Sequence, residues 1–227
     1  MGIKRRRKRG ILITVEGIEG SGKTTQLHRL AKLLRERGYR VVETREPGGT
    51  PLAERIREIL LNPSGEAPAA ETMTPECEAL LILACRRQHV THVIEPALRQ
   101  GAVVLCDRFS DSTLAYQGYG RGLDLRTLRR MNRVATKGLT PDLTLLFDIA
   151  VPAGLARRRR EGELNRMDRE ARRFHERVRR GFLSLAAKEP RRITVLDGRP
   201  APDKIADKVG VIVRSLLSRR RTAVKFS

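Results

Sequence analysis

Residues 17–24 read GIEGSGKT and lie between the apolar run ILITV (11–15) and the helical pattern QLHRLAKLL (26–34). This stretch constrains the fold more than any other. Gly17, Gly22, Lys23 and Thr24 fill the pattern G-x-x-x-x-G-K-[ST], and the context agrees, with a strand before and a helix after. Backbone N–H groups of a glycine-rich loop, together with a helix N-terminus, form a cradle for anions. Lys23 is placed to reach terminal phosphates and Thr24 to hold Mg²⁺. The expected ligand is a nucleoside triphosphate.

The rest of the chain alternates in the same way. ILITV (11–15), VVET (41–44), AVVLC (102–106), LTLLF (143–147) and ITVL (193–196) read as buried strands. Helical patterns are expected over 24–37, 51–61, from Thr74-Pro75-Glu76 toward Gln100 with an interruption near Pro96, over 125–136 behind Asp124, from Pro152 through the arginine run, and over 168–187 and 201–217. The stretch NPSGEAP (62–68) reads as a loop. Strand and helix alternating five times imply an α/β chain: a five-stranded parallel sheet flanked by helices on both faces. Ligands of such sheets bind at the carboxyl ends of the strands. There this chain places GIEGSGKT, REPGGT (45–50), DRFSDST (107–113) and, one helix after the fourth strand, RRRREGELNR (157–166).

These segments favour transfer to a bound acceptor over hydrolysis. Hydrolysing ATPases commonly end the relevant strand in Asp-Glu, whereas this chain offers Asp107-Arg108. Asp107 suits the Mg²⁺ shell and Arg108 a second phosphorylated ligand. Phosphoryl transfer depends on positioning and charge neutralisation, so cations are needed near the moving group. Arg157–Arg160 and Arg166 flank Gly162 in a segment suited to close over ATP and exclude water. A solvated helix face is the competing reading for Arg157–Arg160.

Net charge is +21, and the runs 4–9, 157–180 and 214–227 contribute net six, six and five of it. The excess is therefore local. A basic tail (1–10) and a second one (214–227) are expected to be solvated and frayed, around a single domain (11–213) with a lid at about 157–168. Cys77, Cys85 and Cys106 have no metal-like spacing and fit a reducing cytoplasm. No secretory core, myristoylation pattern or membrane span is legible. The four histidines have no metal-like spacing and are expected in solvent or in local hydrogen bonds. Few aromatics and no Trp weaken a stacking platform for single-stranded nucleic acid.

Taken together, VEGIEGSGKTTQ (15–26), REPGGT, ACRRQHV (84–90), DRFSDSTLAYQGYGRGL (107–123), PDLTLLFDI (141–149) and REGELNRMD (160–168) resemble bacterial thymidylate kinases over residues 11 to about 198. The resemblance implies a P-loop nucleoside monophosphate kinase fold, ATP and Mg²⁺ as donor and cofactor, dTMP as acceptor, dTDP as product, and a homodimer. It implies that Gly17, Ile18, Glu19, Gly20, Ser21, Gly22, Lys23, Thr24 and Thr25 bind ATP. Thr24 and Asp107 would serve Mg²⁺, partly through water. Glu19 would contact the sugar 3′-hydroxyl or the metal shell. Arg45, Glu46, Pro47 and Gly48 would shape the acceptor site, Arg86 read the thymine edge and Arg108 hold the acceptor phosphate. Thr113, Tyr116 and Gln117 would line the nucleoside site, with Tyr116 disfavouring a 2′-hydroxyl. Lys23, Arg166, Asp107 and Glu19 would be the catalytic set. With Gly20 in the loop and Arg166 in the lid, the chain is similar to the type whose catalytic arginine sits in the lid. Two departures stand out: Ile82 replaces a common stacking Phe, and Leu164-Asn165-Arg166 replaces Leu-Asp-Arg. A nucleotide kinase with another pyrimidine acceptor and a P-loop nucleic-acid-binding ATPase are the competing readings. For nucleic acid, weak electrostatic contact by the tails is all that is expected.

Overall fold

The structure, a computed structural model, describes residues 9–61 and 72–222. The loop expected over 62–68, residues 1–8 and residues 223–227 lie outside the described residues. Five strands, β1 (Ile11–Glu16), β2 (Val41–Arg45), β3 (Val103–Asp107), β4 (Leu143–Asp148) and β5 (Ile193–Asp197), form one sheet in the order β2-β3-β1-β4-β5. Every pairing is parallel. The apolar runs marked each strand, but pairing carries each to a charged residue: Glu16, Arg45, Asp107, Asp148 and Asp197 close the five strands. The register sets both Val15 and Arg45 beside Asp107. The first three segments singled out in the sequence therefore leave the sheet along one edge.

β1 is buried along its whole length, and its alternation sorts its residues between two layers. Ile11, Ile13 and Val15 pack with Leu27, Leu30 and Leu34 of helix α1 (Lys23–Glu36) and with Val209, Val213 and Leu217 of α9 (Pro202–Thr222). Burying each such aliphatic side chain contributes about 1.5–3 kcal/mol. Leu12 packs on the other face against Val90, Ile94 and Val104. Thr14 follows with a hydroxyl contact of 2.8 Å to Thr144.

That second face carries α2 (Pro51–Leu61), α3 (Pro75–His89), α4 (Glu95–Arg99), the short α5 (Ser110–Thr113), α6 (Leu125–Thr136), α7 (Val151–Arg160) and α8 (Arg172–Lys188) among its surrounding helices. Thr74 and Asp124 cap α3 and α6 by accepting from the N–H groups of Cys77 and Thr127. The interruption expected near Pro96 takes the form of a π-helical turn, Val90–Ile94, which precedes α4 and gives room to a proline that lacks an N–H. Two expectations need correction. The helix expected from residue 168 starts at Arg172, because residues 166–169 form turns. Residues 214–222 are not a frayed tail: α9 continues to Thr222, Leu217 is buried, and Arg220 pairs with Asp142.

Candidate active site

The phosphate loop is shaped by close backbone approaches. Gly17 has φ 146°, and a Cβ there would lie 2.5 Å from the Phe147 carbonyl oxygen. Gly20 has φ 68°, and a Cβ would lie 2.0 Å from the Gly154 carbonyl oxygen on α7. Neither position accepts a side chain without displacing backbone. Gly22, also left-handed, starts α1 with no side-chain cap, so the first-turn N–H groups are left for an anion. Lys23 is buried and its ammonium donates to the Ile18 carbonyl at 3.4 Å. Burial and Arg108 draw its pKa down, against the pull of Asp107, Glu19 and Glu16.

Thr24 Oγ1 donates to Asp107 Oδ2 at 2.5 Å. Asp107 Oδ1 is buried and has no protein partner. An orphaned carboxylate oxygen beside a hydroxyl is a hard-oxygen donor set that fits Mg²⁺, which keeps most of its shell for water and substrate phosphates. Residue 108 follows with φ 70°, a left-handed backbone that is costly for arginine and marks a functional turn. It aims the Arg108 guanidinium back at the loop, where it donates to Gly17 O (3.0 Å), Ser112 Oγ (3.2 Å) and Glu19 Oε1 (3.1 Å) and covers the Tyr116 ring at 4.9 Å.

Glu19 is the counter-charge. Besides Arg108, it accepts from the Tyr116 hydroxyl at 2.6 Å, and His175 Nδ1 lies 3.2 Å from its second oxygen. Burial opposes its ionisation, but His175, Arg108, Lys23 and Tyr116 together hold its carboxyl well below the usual carboxylate range. Glu16, fully buried at the end of β1, behaves oppositely. Burial and neighbouring Asp111 push it up to about 8, although Ser112 and the Phe109 N–H bond to it.

Arg86 is a strut as well as a wall of the site. Only 1% exposed, it donates to Glu46 Oε2 (2.7 Å), Thr113 Oγ1 (2.7 Å), Asn132 Oδ1 (2.5 Å) and Phe109 O (3.0 Å). Most of its donors are thus spent on the protein, and it ties β2, α3, α5 and α6 together. Glu46, beside the cis Glu46–Pro47 bond, also accepts from His89 at 2.9 Å. Arg45 pairs with Glu54, which also accepts from the Gly49 N–H.

The segment expected to form a lid is a compact turn. Asn165 Oδ1 accepts from the N–H groups of Met167 and Asp168, so replacing the usual Asp keeps the turn's cap. Asp168 in turn accepts from Arg158 at 3.1 Å. Arg157 bonds to Gly198 O, while Arg159 and Arg160 do not line the cavity. Arg166 donates to Leu60 O (2.9 Å) and to Glu78 Oε2 (2.6 Å).

One cavity of about 440 Å³ joins these parts. It is lined by Glu19, Gly20, Gly22, Lys23, Thr24 and Thr25, by Arg45, Glu46, Pro47, Ile82, Arg86, Asp107 and Arg108, by Thr113, Tyr116 and Gln117, and by Arg166. Gly17, Ile18, Ser21 and Gly48 are not on its wall; Ile18 and Ser21 are buried, and the Ile18 side chain belongs to the core. Arg57, Glu78, Arg158 and Met167 line the cavity without having been singled out in the sequence, except Arg158 as one of the lid run. Glu78 and Arg57 read as polar helix faces, and nothing in the local pattern distinguishes them.

The chain is similar to known proteins over most of its length. The sequence model of the thymidylate kinase family matches residues 15–209. A thymidylate kinase of Geobacter sulfurreducens is 51% identical over 217 residues, covering 93% of this chain and 100% of that relative. One of Thermomicrobium roseum is 51% identical over 210 residues, covering 92% and 97%. The crystal structure of thymidylate kinase from Ehrlichia chaffeensis superposes with a TM-score of 0.71 at 36% identity, covering 90% of this chain and 99% of that one. Matched by the family model over most of its length and about half identical to these relatives, the chain belongs to the thymidylate kinase family.

Proposed function

We propose that the chain transfers the γ-phosphoryl group of ATP to dTMP, giving ADP and dTDP, with the work divided among the residues above. The carrying observation is that Arg108, aimed at the phosphate loop, and Ile82, Arg86 and Gln117, on the acceptor side, border the same cavity as Lys23 and Arg166. Donor and acceptor phosphates can meet there.

The loop N–H groups and Lys23 bind the donor phosphates. Thr24 and Asp107 would hold Mg²⁺, partly through water, and the ion supplies neutralisation of phosphate charge. Arg108 holds the acceptor phosphate, and Glu19 keeps Arg108 and Tyr116 in place beside the sugar. Arg45 and the Glu46–Gly48 turn shape the acceptor side, with Arg86 and Thr113 along the pyrimidine. Arg166 neutralises the moving phosphoryl group from the lid. It must exchange its bond to Glu78 for the phosphates, a small motion of the kind that closes lids in such enzymes. Since phosphoryl transfer is catalysed mainly by position and charge, no protein nucleophile is needed.

The working unit is read as a single domain, residues 11 to 222, with the lid at about 157–168. Leu80 on α3 is 57% exposed and Val134 on α6 is 77% exposed. These two helices pack together and offer apolar surface to a second copy, which supports a homodimer. Among the described residues no helix is long and apolar enough to cross a membrane; we place the enzyme in the cytoplasm. The test is a coupled ADP-release assay with Mg-ATP and, separately, dTMP, dUMP, dCMP, dGMP, AMP or no acceptor. Turnover with dTMP that Arg166→Ala lowers by about 10²–10³-fold supports the reading; acceptor-independent turnover refutes it.

A further inference from the structure

Glu78 is 1% exposed on α3, and its carboxylate gathers donors from two different segments. Oε1 accepts from Gln117 Nε2 at 2.7 Å and from Arg121 Nε at 3.3 Å. Oε2 accepts from Arg121 at 3.0 Å and from Arg166 of the lid at 2.6 Å. Arg121 is itself held over the Phe174 ring at 4.6 Å and reaches Glu170 at 2.5 Å. Burial opposes the charge on Glu78, but Arg121, Gln117 and Arg166 outweigh it and keep the carboxyl below its usual range. An ionised carboxylate has no proton to give and can only accept.

This fixes the polarity of Gln117. A side-chain amide has a donor end and an acceptor end. Its NH₂ must face Glu78. Its carbonyl oxygen then remains for the cavity that Gln117 lines with Ile82, Arg86 and Thr113. A carbonyl oxygen there accepts from a base bearing an N–H on its pairing edge. It repels a base that presents a lone pair at that point.

We propose that Glu78 is a specificity-determining positioning residue, which orients the Gln117 amide so that the acceptor site takes pyrimidines with an N3–H and rejects those whose N3 is an acceptor. The inference rests on the reading of Gln117 as a wall of the nucleoside site. Glu78→Gln removes the constraint. Arg121 bonds to both carboxylate oxygens, and Arg166 leaves Glu78 for the phosphates in turnover, so the new amide meets Gln117 with either end. Gln117 can then flip and present NH₂ to the base.

The test compares dTMP with 5-methyl-dCMP, which differ only along the N3 and position-4 edge, as acceptors for full-length wild type and Glu78→Gln. The expected result is a fall of at least about tenfold in the ratio of kcat/KM values, with kcat/KM for 5-methyl-dCMP rising in absolute terms. An unchanged ratio, or equal losses on both acceptors, overturns the proposal. Gln117→Met leaves Glu78 with its arginines and removes the polarity reader; if that variant keeps the wild-type ratio, the proposal also fails. Wild-type turnover with dTMP tests the reaction itself, so a failure of that reading shows independently of the ratio.

Discussion

Arg108 and Glu19 are bonded at 3.1 Å across the gap between the β3 turn and the phosphate loop. The contact joins the two halves of the site, because Glu19 belongs to the donor loop and Arg108 follows the strand that carries Asp107. Tyr116 and Arg108 both donate to the same Glu19 oxygen. The guanidinium fork is what permits simultaneous bonds to Gly17, Ser112 and Glu19. Arg108→Lys keeps the charge and loses the fork. It is expected to lower kcat/KM for dTMP about 10²–10³-fold while leaving the KM for ATP within about twofold. Steady-state kinetics with each substrate varied in turn check this; equal effects on both substrates would contradict it.

Glu16 makes stability depend on pH in an unusual direction. Its ordinary value is 4.5, and burial with Asp111 beside it lifts it to about 8 in the fold. The folded chain therefore binds this proton more tightly than the unfolded chain does. The resulting stabilisation is complete below 4.5, declines as pH rises, and is gone above about 8. Glu16→Gln supplies a neutral group that can accept from the Phe109 and Ser112 N–H groups and donate to the Ser112 hydroxyl. Wild type and variant are expected to melt alike near pH 5. By pH 8.5 the variant should be the more stable, by on the order of a few kcal/mol. Thermal melts at both pH values decide it, and a gap that does not change with pH refutes it.

The parts of the site that were legible in the sequence are those written in backbone chemistry. Gly17, Gly22, Lys23 and Thr24 announce their loop because the turn itself requires them. Asp124 announces its helix because a cap must sit one residue before it. The buried polar network was not legible. Glu78 lies in PECEALLIL, where a single acid reads as a solvated helix face until α3 is covered by the Gln117 segment and the lid. His175 was expected in solvent or local bonding and is instead fully buried behind Glu19. Both π-helical turns, at Val90–Ile94 and Leu114–Gly120, escape a reading based on a 3.6-residue period. The second carries Tyr116 and Gln117, so the wider turn is what aims those side chains at the cavity.

Ile82 lines the acceptor side without offering an aromatic face. Stacking a base on an aromatic ring is worth about 1–3 kcal/mol. Ile82→Phe is expected to lower the KM for dTMP several-fold, with little change in kcat, because the gain is made equally in the ground state and the transition state. A rise in KM would mean that the larger ring fills the space the pyrimidine needs.

Thr24 and Asp107 are bonded to each other, so removing the hydroxyl also releases the carboxylate. Thr24→Ala is expected to raise the Mg²⁺ concentration needed for half-maximal rate by about 10–100-fold. Turnover should vanish on chelation in wild type and return on adding Mg²⁺. A Mg²⁺ titration at fixed ATP and dTMP shows whether the half-maximal point moves; if it does not, the metal is held elsewhere.

Gly20 decides where a catalytic arginine can come from. A loop arginine would have to occupy this position, yet a Cβ here would lie 2.0 Å from the Gly154 carbonyl oxygen, and φ is 68°. The clash is with backbone on α7, so no rotamer relieves it. Gly20→Arg is therefore expected to destabilise the protein by about 1–3 kcal/mol or more and to weaken ATP binding. On the proposed reading Arg166, which borders the cavity, supplies the charge instead. Arg166→Ala alone is expected to lower kcat about 10²–10³-fold, and adding Gly20→Arg should restore none of it. Melting curves and kcat for the two single variants and the double variant test both halves. Rescue in the double variant would mean that α7 yields to a loop side chain and that the position of the arginine is not fixed by this contact.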